Sequence, residues 1–440
     1  MTYTLRRPVF AFAQDLGSVS GEAKSALFTV GLSQDQVVKY LGADPEPIAL
    51  DGLWKSAYKT PVESLVAFHH EYADADKAAS ALDAKISADS VAAGGANYEI
   101  ITTLAVRQSF GALQVARGPR QAYIFLKEIS SNGDSQTVDV IFPAHPIFLY
   151  LNPELVRLLL DPLYENQEAG HYPHSWAIHD LGVFPNAVGY PQGNDEWMPL
   201  EECGNMVIMT LAYAQRAGDT AYLERHWPLL DRWAQYLVAD ALIPAEQLST
   251  DDFAGALHNQ TNLAIKGIIG LKAMSDIARR TGRHDDYGSV ADDYLARWRG
   301  LATNAAATPP HTSLNYGNSS SYSLLYNLYA DRLLGLGFVG RDVYDMQSAF
   351  YPSVALDFGV PNDSRHRWAK TDWALFCAAV ASEATRDLIH GLVARWIGET
   401  PIAVPFTDIY DAGTGGINDA PQFKARPVMG ASFALLALER

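Results

Sequence analysis

Cysteine is almost absent from this chain. Two thiols, Cys203 and Cys377, are all it has, which excludes a disulfide scaffold and a thiolate metal cluster. Long apolar runs are missing too: no stretch of eighteen or more apolar residues occurs, so no helix is expected to span a membrane. Positive charge is scarce. Lys and Arg total 33 against 50 Asp and Glu, a net charge of −17, and such a surface releases no counterions from a polyanion and repels nucleic acid and anionic lipid. The N-terminal MTYTLRRPVF carries two arginines without the apolar segment of a signal peptide. Nucleophile signatures are also lacking. There is no GxSxG elbow, and the one SxxK (Ser56–Lys59) lies in a strand-like region.

What is present is apolar material for a large core. Hydrophobic residues make up 48% of 440, more than a disordered chain would hold. The first sixty residues read as strands, with β-rich runs at Val9–Phe12 and Ala26–Leu32 punctuated by glycines. Two or three strands leave open edges, so residues 1–60 are expected to be the C-terminal part of a β-sandwich that pairs with an earlier region, or a small sheet lying on the helical body. From Pro61 to residue 440 the pattern is helical and comes in pairs. Amphipathic segments such as Thr220–Val238 alternate with segments apolar on every side, such as Gly204–Ala214 and Leu263–Met274. The first kind belongs on an outer layer and the second in an interior. Six inner helices are expected to start near Asn97, Glu201, Asn259, Ser320, Thr371 and Pro427. Six outer partners are expected near Pro61, Pro153, Thr220, Asp286, Asp342 and Ser382. This predicts a mainly α protein, an (α/α)6 toroid with a small N-terminal β segment.

The chemistry-bearing residues collect in the segments that lead into inner helices: Gly94–Glu99, His171–Asn205, Asp251–Asn262, His311–Ser321, Asn362–Trp373 and Pro405–Pro427. In a double ring these loops share one rim, where helix N-termini offer unpaired N–H groups. The catalytic candidates are carboxylates: Glu201 and Glu202, adjacent at a helix start, with Asp180, Asp252 and Asp372. Two neighbouring acids in an enclosed space do not both ionise cheaply, so one becomes a proton donor. Helix N-capping is the ordinary role of Asp252 and Asp372. The substrate-binding candidates are His179, Asp195, Glu196, Trp197, Arg365, Lys370, Trp373, Asp408, Tyr410 and Arg426, the basic ones as clamps for a carboxylate and the aromatic ones as a wall. No HExxH or cysteine set accompanies the histidines, so neither metal nor cofactor is expected. Cys203 reads as a small buried hydrophobe, since adjacent carboxylates hold its thiol protonated. Water activated by carboxylates is the expected mechanism, acting on a small molecule. Three Asn-x-Ser/Thr sequons, at Asn259, Asn318 and Asn362, would accept glycans in a secreted chain.

With HDLG (His179–Gly182), GNDE (Gly193–Glu196), MPLEECGNM (Met198–Met206), Asp251–Met274, the DSRHRWAKTDW loop (Asp363–Trp373) and RPVMG (Arg426–Gly430), the chain resembles the secreted fungal glutaminase A family. The resemblance implies hydrolysis of the side-chain amide of L-glutamine by an extracellular, cofactor-free enzyme, with a longer N-terminal β-sandwich than this chain carries. Glu201–Glu202 on a helix ending RAGD is also similar to the acid-bearing helix of glucoamylase-like toroids. That likeness implies an exo-acting glycoside hydrolase as the alternative, with a general acid and a second carboxylate. It breaks at FKARP (Phe423–Pro427), which holds no carboxylate in the base position. A non-catalytic small-molecule binding module is the third reading.

Overall fold

A computed structural model of the chain describes residues 11–284 and 286–438. A mixed sheet with strand order β4-β3-β2-β1-β5 lies at the N-terminal side. It combines β1 (Gln36–Tyr40), β2 (Ile48–Gly52), β3 (Leu113–Arg117), β4 (Ala122–Leu126) and the short β5 (Asn186–Ala187). The first four are antiparallel neighbours, and β5 joins β1 in parallel. The expected strand at Ala26–Leu32 does not form. That run is irregular, with Phe28, Val30 and Leu32 exposed. High β-propensity makes no strand without a neighbour to complete its hydrogen bonds. Of the run at Val9–Phe12, Val9 and Phe10 lie outside the described residues, and Ala11 and Phe12 are not in a strand.

The helical body begins with α1 (Pro61–His70) and α2 (Tyr72–Gly111), the latter broken by Gly95 at φ 75°. Five hairpins follow: α3 (Val138–Leu151) with α4 (Glu154–Glu168), α5 (Pro199–Ala217) with α6 (Thr220–Asp240), and α7 (Thr261–Arg280) with α8 (Tyr287–Ala302). The series ends with α9 (Leu328–Leu333) and α10 (Arg341–Val354), then α11 (Thr371–Val380) and α12 (Glu383–Glu399). A 3-10 segment, Pro427–Phe433, runs into α13 (Ala434–Leu438) and closes the set. The odd-numbered helices from α3 pack in sequence around a ring, and Pro427–Phe433 packs against both α11 and α3, so the ring is shut. The second half of α2 packs on that closing segment and beside α12, completing the outer layer. The architecture is an (α/α)6 toroid with a small β segment.

Burial follows this division. Every residue of α5 from Pro199 to Ala214 is buried, whereas α6 buries Tyr222, Leu223, His226, Leu229, Leu230, Trp233, Ala234 and Leu237, one stripe at three-to-four spacing. The α5–α6 turn has Gly218 at φ 69°, and the Asp219 side chain accepts from the Tyr222 N–H at 3.0 Å to cap α6.

Two inner-layer expectations and one outer-layer expectation need correction. The segment from Asn97 is an outer helix, burying one stripe only. Its inner place is taken by α3, buried from Val138 to Leu149 despite Pro143 and Pro146. Pro146 has no N–H for the Phe142 carbonyl, and the His145 ring nitrogen Nδ1 bonds that oxygen instead. Burial lowers the His145 pKa to about 4, so this ring is neutral structure. The fourth inner helix starts at Leu328 rather than near Ser320 and is six residues long. The outer helix expected from Pro61 is α1, which has no buried residue and lies outside the ring. Among the described residues no helix is long and apolar enough to cross a membrane.

Two smaller ribbons complete the rim. β6 (Thr303–Asn304) pairs with β7 (His311–Thr312), and β8 (Trp368–Lys370) pairs with β9 (Ile409–Asp411).

Candidate active site

The loops that enter α3, α5, α7 and the closing segment meet at one pocket of about 330 Å³. Four carboxylates line it (Glu128, Asp139, Glu196 and Asp252), with one imidazole, His179, and one guanidinium, Arg426. Phe253 and Phe423 form its apolar wall, their ring centres 6.1 Å apart.

His179 is held from both backbone ends. Its N–H donates to Asp195 at 3.0 Å, and its carbonyl accepts from the N–H of Val138 at 2.8 Å. Asp195 is itself fixed by the Tyr172 hydroxyl, 3.0 Å from both its oxygens. The imidazole Nδ1 lies 2.7 Å from Glu202 Oε1, and Nε2 lies 3.6 Å from Glu196 Oε2. Burial disfavours the imidazolium, but the Glu202 hydrogen bond and charge, with Asp139 and Asp180, outweigh it and raise the His179 pKa well above its usual value.

The acids facing the pocket are raised as well, which in a carboxyl group favours the neutral form. Asp139, in the first turn of α3 and 7% exposed, rises to about 6 through burial. Asp252 also rises to about 6, through burial and then the charge of Asp139. Glu196 is raised by burial as well. Carboxyl groups poised near neutrality are suited to accept and return a proton.

Glu201 does not face this pocket. Its carboxylate pairs with the fully buried Lys266, whose ammonium sits 4.1 Å from the centre of the Phe142 ring. Asn205 ties the adjacent acids together, its Nδ2 donating to Glu201 at 3.1 Å and to Glu202 at 3.0 Å while its Oδ1 accepts from Lys266 at 2.7 Å. Of the two adjacent acids, Glu202 is the one that reaches the imidazole, while Glu201 is committed to Lys266.

A second buried chain of charge runs in from α11. Lys370 contacts Asp372 at 2.6 Å and Asp408 at 2.8 Å, Asp408 reaches Arg426 at 3.2 Å, and Arg426 reaches Glu128 at 3.2 Å. Burial opposes ionisation of Asp408, but Lys370 and Arg426 prevail and lower its pKa. Only Arg426 and Glu128 of this series touch the pocket. Asp372, Lys370 and Asp408 form a support beneath it rather than a substrate surface.

Other expected contacts are structural. Asp180 accepts from the Gly182 N–H and from the Tyr190 hydroxyl at 2.9 Å, shaping the turn after His179. Arg365 is clamped by Asp363, 2.6 Å from Nη2, and donates to the Ala254 carbonyl at 3.1 Å. Trp373 is 1% exposed and stacks on Tyr326 at 4.3 Å. Tyr410 is buried against Trp396 at 4.0 Å and donates to the Phe358 carbonyl. Trp197 is 46% exposed and outside the pocket lining. Burial raises the Cys203 thiol, consistent with a packing role.

Glu128 and Asp139 lie outside the segments in which the chemistry-bearing residues cluster along the sequence. Asp139 was signalled by TVDV ahead of an apolar run, a helix-start pattern hidden by the two prolines that follow. Should a cation be held, Asp139, His179 and Glu202 are the residues for it, their ligand atoms within 4.8 Å of one another.

A model of the glutaminase A six helical-hairpin domain matches residues 95–436, and one of a domain of unknown function matches residues 2–89. The chain is 55% identical to Glutaminase A of Aspergillus oryzae, across 98% of this chain and 63% of that protein. It is 35% identical to a "Probable glutaminase" of Arthroderma benhamiae, across 98% of this chain and 61% of that one. It thus spans less than two thirds of the length of either relative. A solved structure titled "Glycosidase Wild Type" aligns with a TM-score of 0.43 at 16% identity, over 82% of this chain and 97% of that one.

Proposed function

The chain belongs to the glutaminase A six helical-hairpin family, and on that premise we propose that it hydrolyses the side-chain amide of L-glutamine to glutamate and ammonia. The observation that carries this reading is the pairing, in one amino-acid-sized pocket, of carboxyl groups near pKa 6 with an imidazole that holds its proton. Amide hydrolysis needs both. A base must take a proton from water as it attacks the carbonyl, and an acid must give one to the departing nitrogen.

Asp252 or Asp139, ionised above about pH 6, serves as the base. The Nε2–H of His179 serves as the acid, its cation supported by Glu202 across the 2.7 Å contact. Arg426 supplies positive potential for the α-carboxylate, and Glu128 and Glu196 supply negative potential for the α-ammonium. The pocket is at the small end of the roughly 300–1,000 Å³ typical of ligand sites, which suits a single amino acid. The family relationship also supports an extracellular setting.

Ammonia release from glutamine by the purified chain is the direct test. Turnover should fall by at least about 100-fold in Asp252→Asn or Asp139→Asn, the loss typical of a removed general acid or base. Cleavage of aryl-glycosides with no ammonia from glutamine would replace this reading with the glycosidase one. Binding of glutamine without turnover would leave a binding module.

A further inference from the structure

The three Asn-x-Ser/Thr sequons are chemically alike, but the fold treats them very differently. Asn362 is 3% exposed, and its backbone is pinned on both sides, its N–H donating to the Trp368 carbonyl and its carbonyl accepting from Leu324, each at 2.8 Å. Asn259 is half-buried at φ 55°, between the Pro244 carbonyl, 2.9 Å from its N–H, and the Tyr316 N–H, 3.0 Å from its carbonyl. The hydroxyl-bearing partner in that sequon, Thr261, is the first residue of α7 and wholly buried. An oligosaccharide at Asn362 would have to occupy space already filled by the rim, and at Asn259 it would sit on a half-buried backbone bonded on both sides.

Asn318 stands apart. Asn318, Ser319 and Ser320 are all exposed, on a turn made by Gly317 at φ 78° and closed by the Asn318 N–H donating to the Asn315 carbonyl at 3.2 Å. The Ser320 hydroxyl donates to the Asn318 side-chain oxygen at 2.9 Å. That bond joins the two functional groups a sequon consists of, and the amide nitrogen lies on the exposed turn with one hydrogen donated to the Asn315 side-chain oxygen at 3.2 Å. Asn304 anchors the turn by donating to the Ser319 carbonyl at 2.6 Å.

We propose that Asn318 is the N-glycan acceptor of this chain, and that Asn259 and Asn362 are unmodified in the folded protein. The donor is a lipid-diphosphate-linked oligosaccharide. A bond forms between Asn318 Nδ2 and the anomeric carbon, the bond from that carbon to the diphosphate oxygen breaks, and the amide proton and the lipid diphosphate leave. Transfer of this kind precedes folding, so the structure acts as a filter: a chain modified at Asn362 cannot close its rim and is lost, whereas one modified at Asn318 folds unhindered. The glycan would stand on the same rim as the pocket, because Asn315 bridges to Gln260 in the loop that carries Asp252. In the protein's own host the proposal rests on the extracellular reading above.

The test separates the two. The chain is secreted from yeast behind an appended leader, digested, and mapped by mass spectrometry before and after removal of N-glycans. The expected result is glycan on the Asn318 peptide alone, loss of the whole glycan mass shift in Asn318→Gln and in Ser320→Ala, and ammonia release within about twofold of the parent for both. An unmodified Asn318 peptide in the secreted protein, or a glycan on Asn259 or Asn362, overturns the proposal. Absence of the protein from the culture fluid of its own host would sink the extracellular reading and leave the acceptor assignment standing.

Discussion

His179 and Glu202 face each other across 2.7 Å, with both side chains almost wholly out of solvent. An imidazole so placed keeps a fixed orientation, with one nitrogen committed to the carboxylate and the other turned toward the pocket acids. Glu202→Gln should therefore lower kcat by about 100-fold or more while far-UV circular dichroism stays unchanged. Unaltered kcat in that variant would remove the pair from the chemistry.

Activity and stability should respond to pH in opposite directions. A base with a pKa of about 6 must be ionised, so glutamine turnover should decline as pH falls through about 6. For stability, Asp139, Asp180 and Asp252 are raised to about 6 and Asp251 to about 7, chiefly by burial. An acid whose folded pKa exceeds its unfolded one binds more protons in the native state, so stability is lost as pH rises from about 4 to about 7. His179, also raised, contributes stability that is lost as pH rises beyond its unfolded value toward its folded one, which has the same sign. Thermal melts should show a higher Tm at pH 5 than at pH 8, and Asp139→Asn should flatten that slope.

Lys266→Met leaves Glu201 buried without its cation. Breaking one side of a buried ion pair costs about 3–5 kcal/mol, measurable by urea denaturation. Glu201→Leu with Lys266→Met should recover most of that loss, because the uncompensated charge is gone. Glu201→Gln should change stability more than kcat.

Gly430 lies where the closing segment crosses α3. A Cβ there would meet the Ala144 carbonyl and lie 2.8 Å from the Ala144 Cα, and this is backbone that cannot swing aside. Gly430→Ala should destabilise the toroid by about 1–3 kcal/mol or more through overpacking. An unchanged urea midpoint would mean that the closing segment leaves room for a methyl group against α3.

Under the carboxylate mechanism, dialysis against a chelator should leave ammonia release unchanged. A loss of activity restored by one divalent ion, and abolished for good by Asp139→Asn, would instead make Asp139, His179 and Glu202 a metal centre.

Much of the architecture was legible along the chain. Helices such as α5 and α7, apolar on all sides, announce an interior, and α6, with its single stripe, announces an outer layer. Four of the six inner starts follow from that contrast. It failed at α3, where two prolines interrupt the pattern and a histidine side chain replaces a lost backbone bond. It failed also at Asn97, where an alanine-rich helix with one buried stripe resembled an interior one. His179, Glu196, Asp252 and Arg426 were recognisable because their loops all lead into inner helices and so share a rim.

The sequence by itself determined the helical pairing, the one-sided clustering of acids and aromatics, and the lack of a GxSxG elbow. Only the tertiary structure decided which acids face the pocket. Consecutive residues on a helix point about 100° apart, so Glu201 turns to Lys266 on α7 while Glu202 turns to His179 on a loop. The string Glu-Glu carries no record of which neighbour each will find. Those neighbours come from segments distant along the chain, and their proximity exists only once the ring has closed.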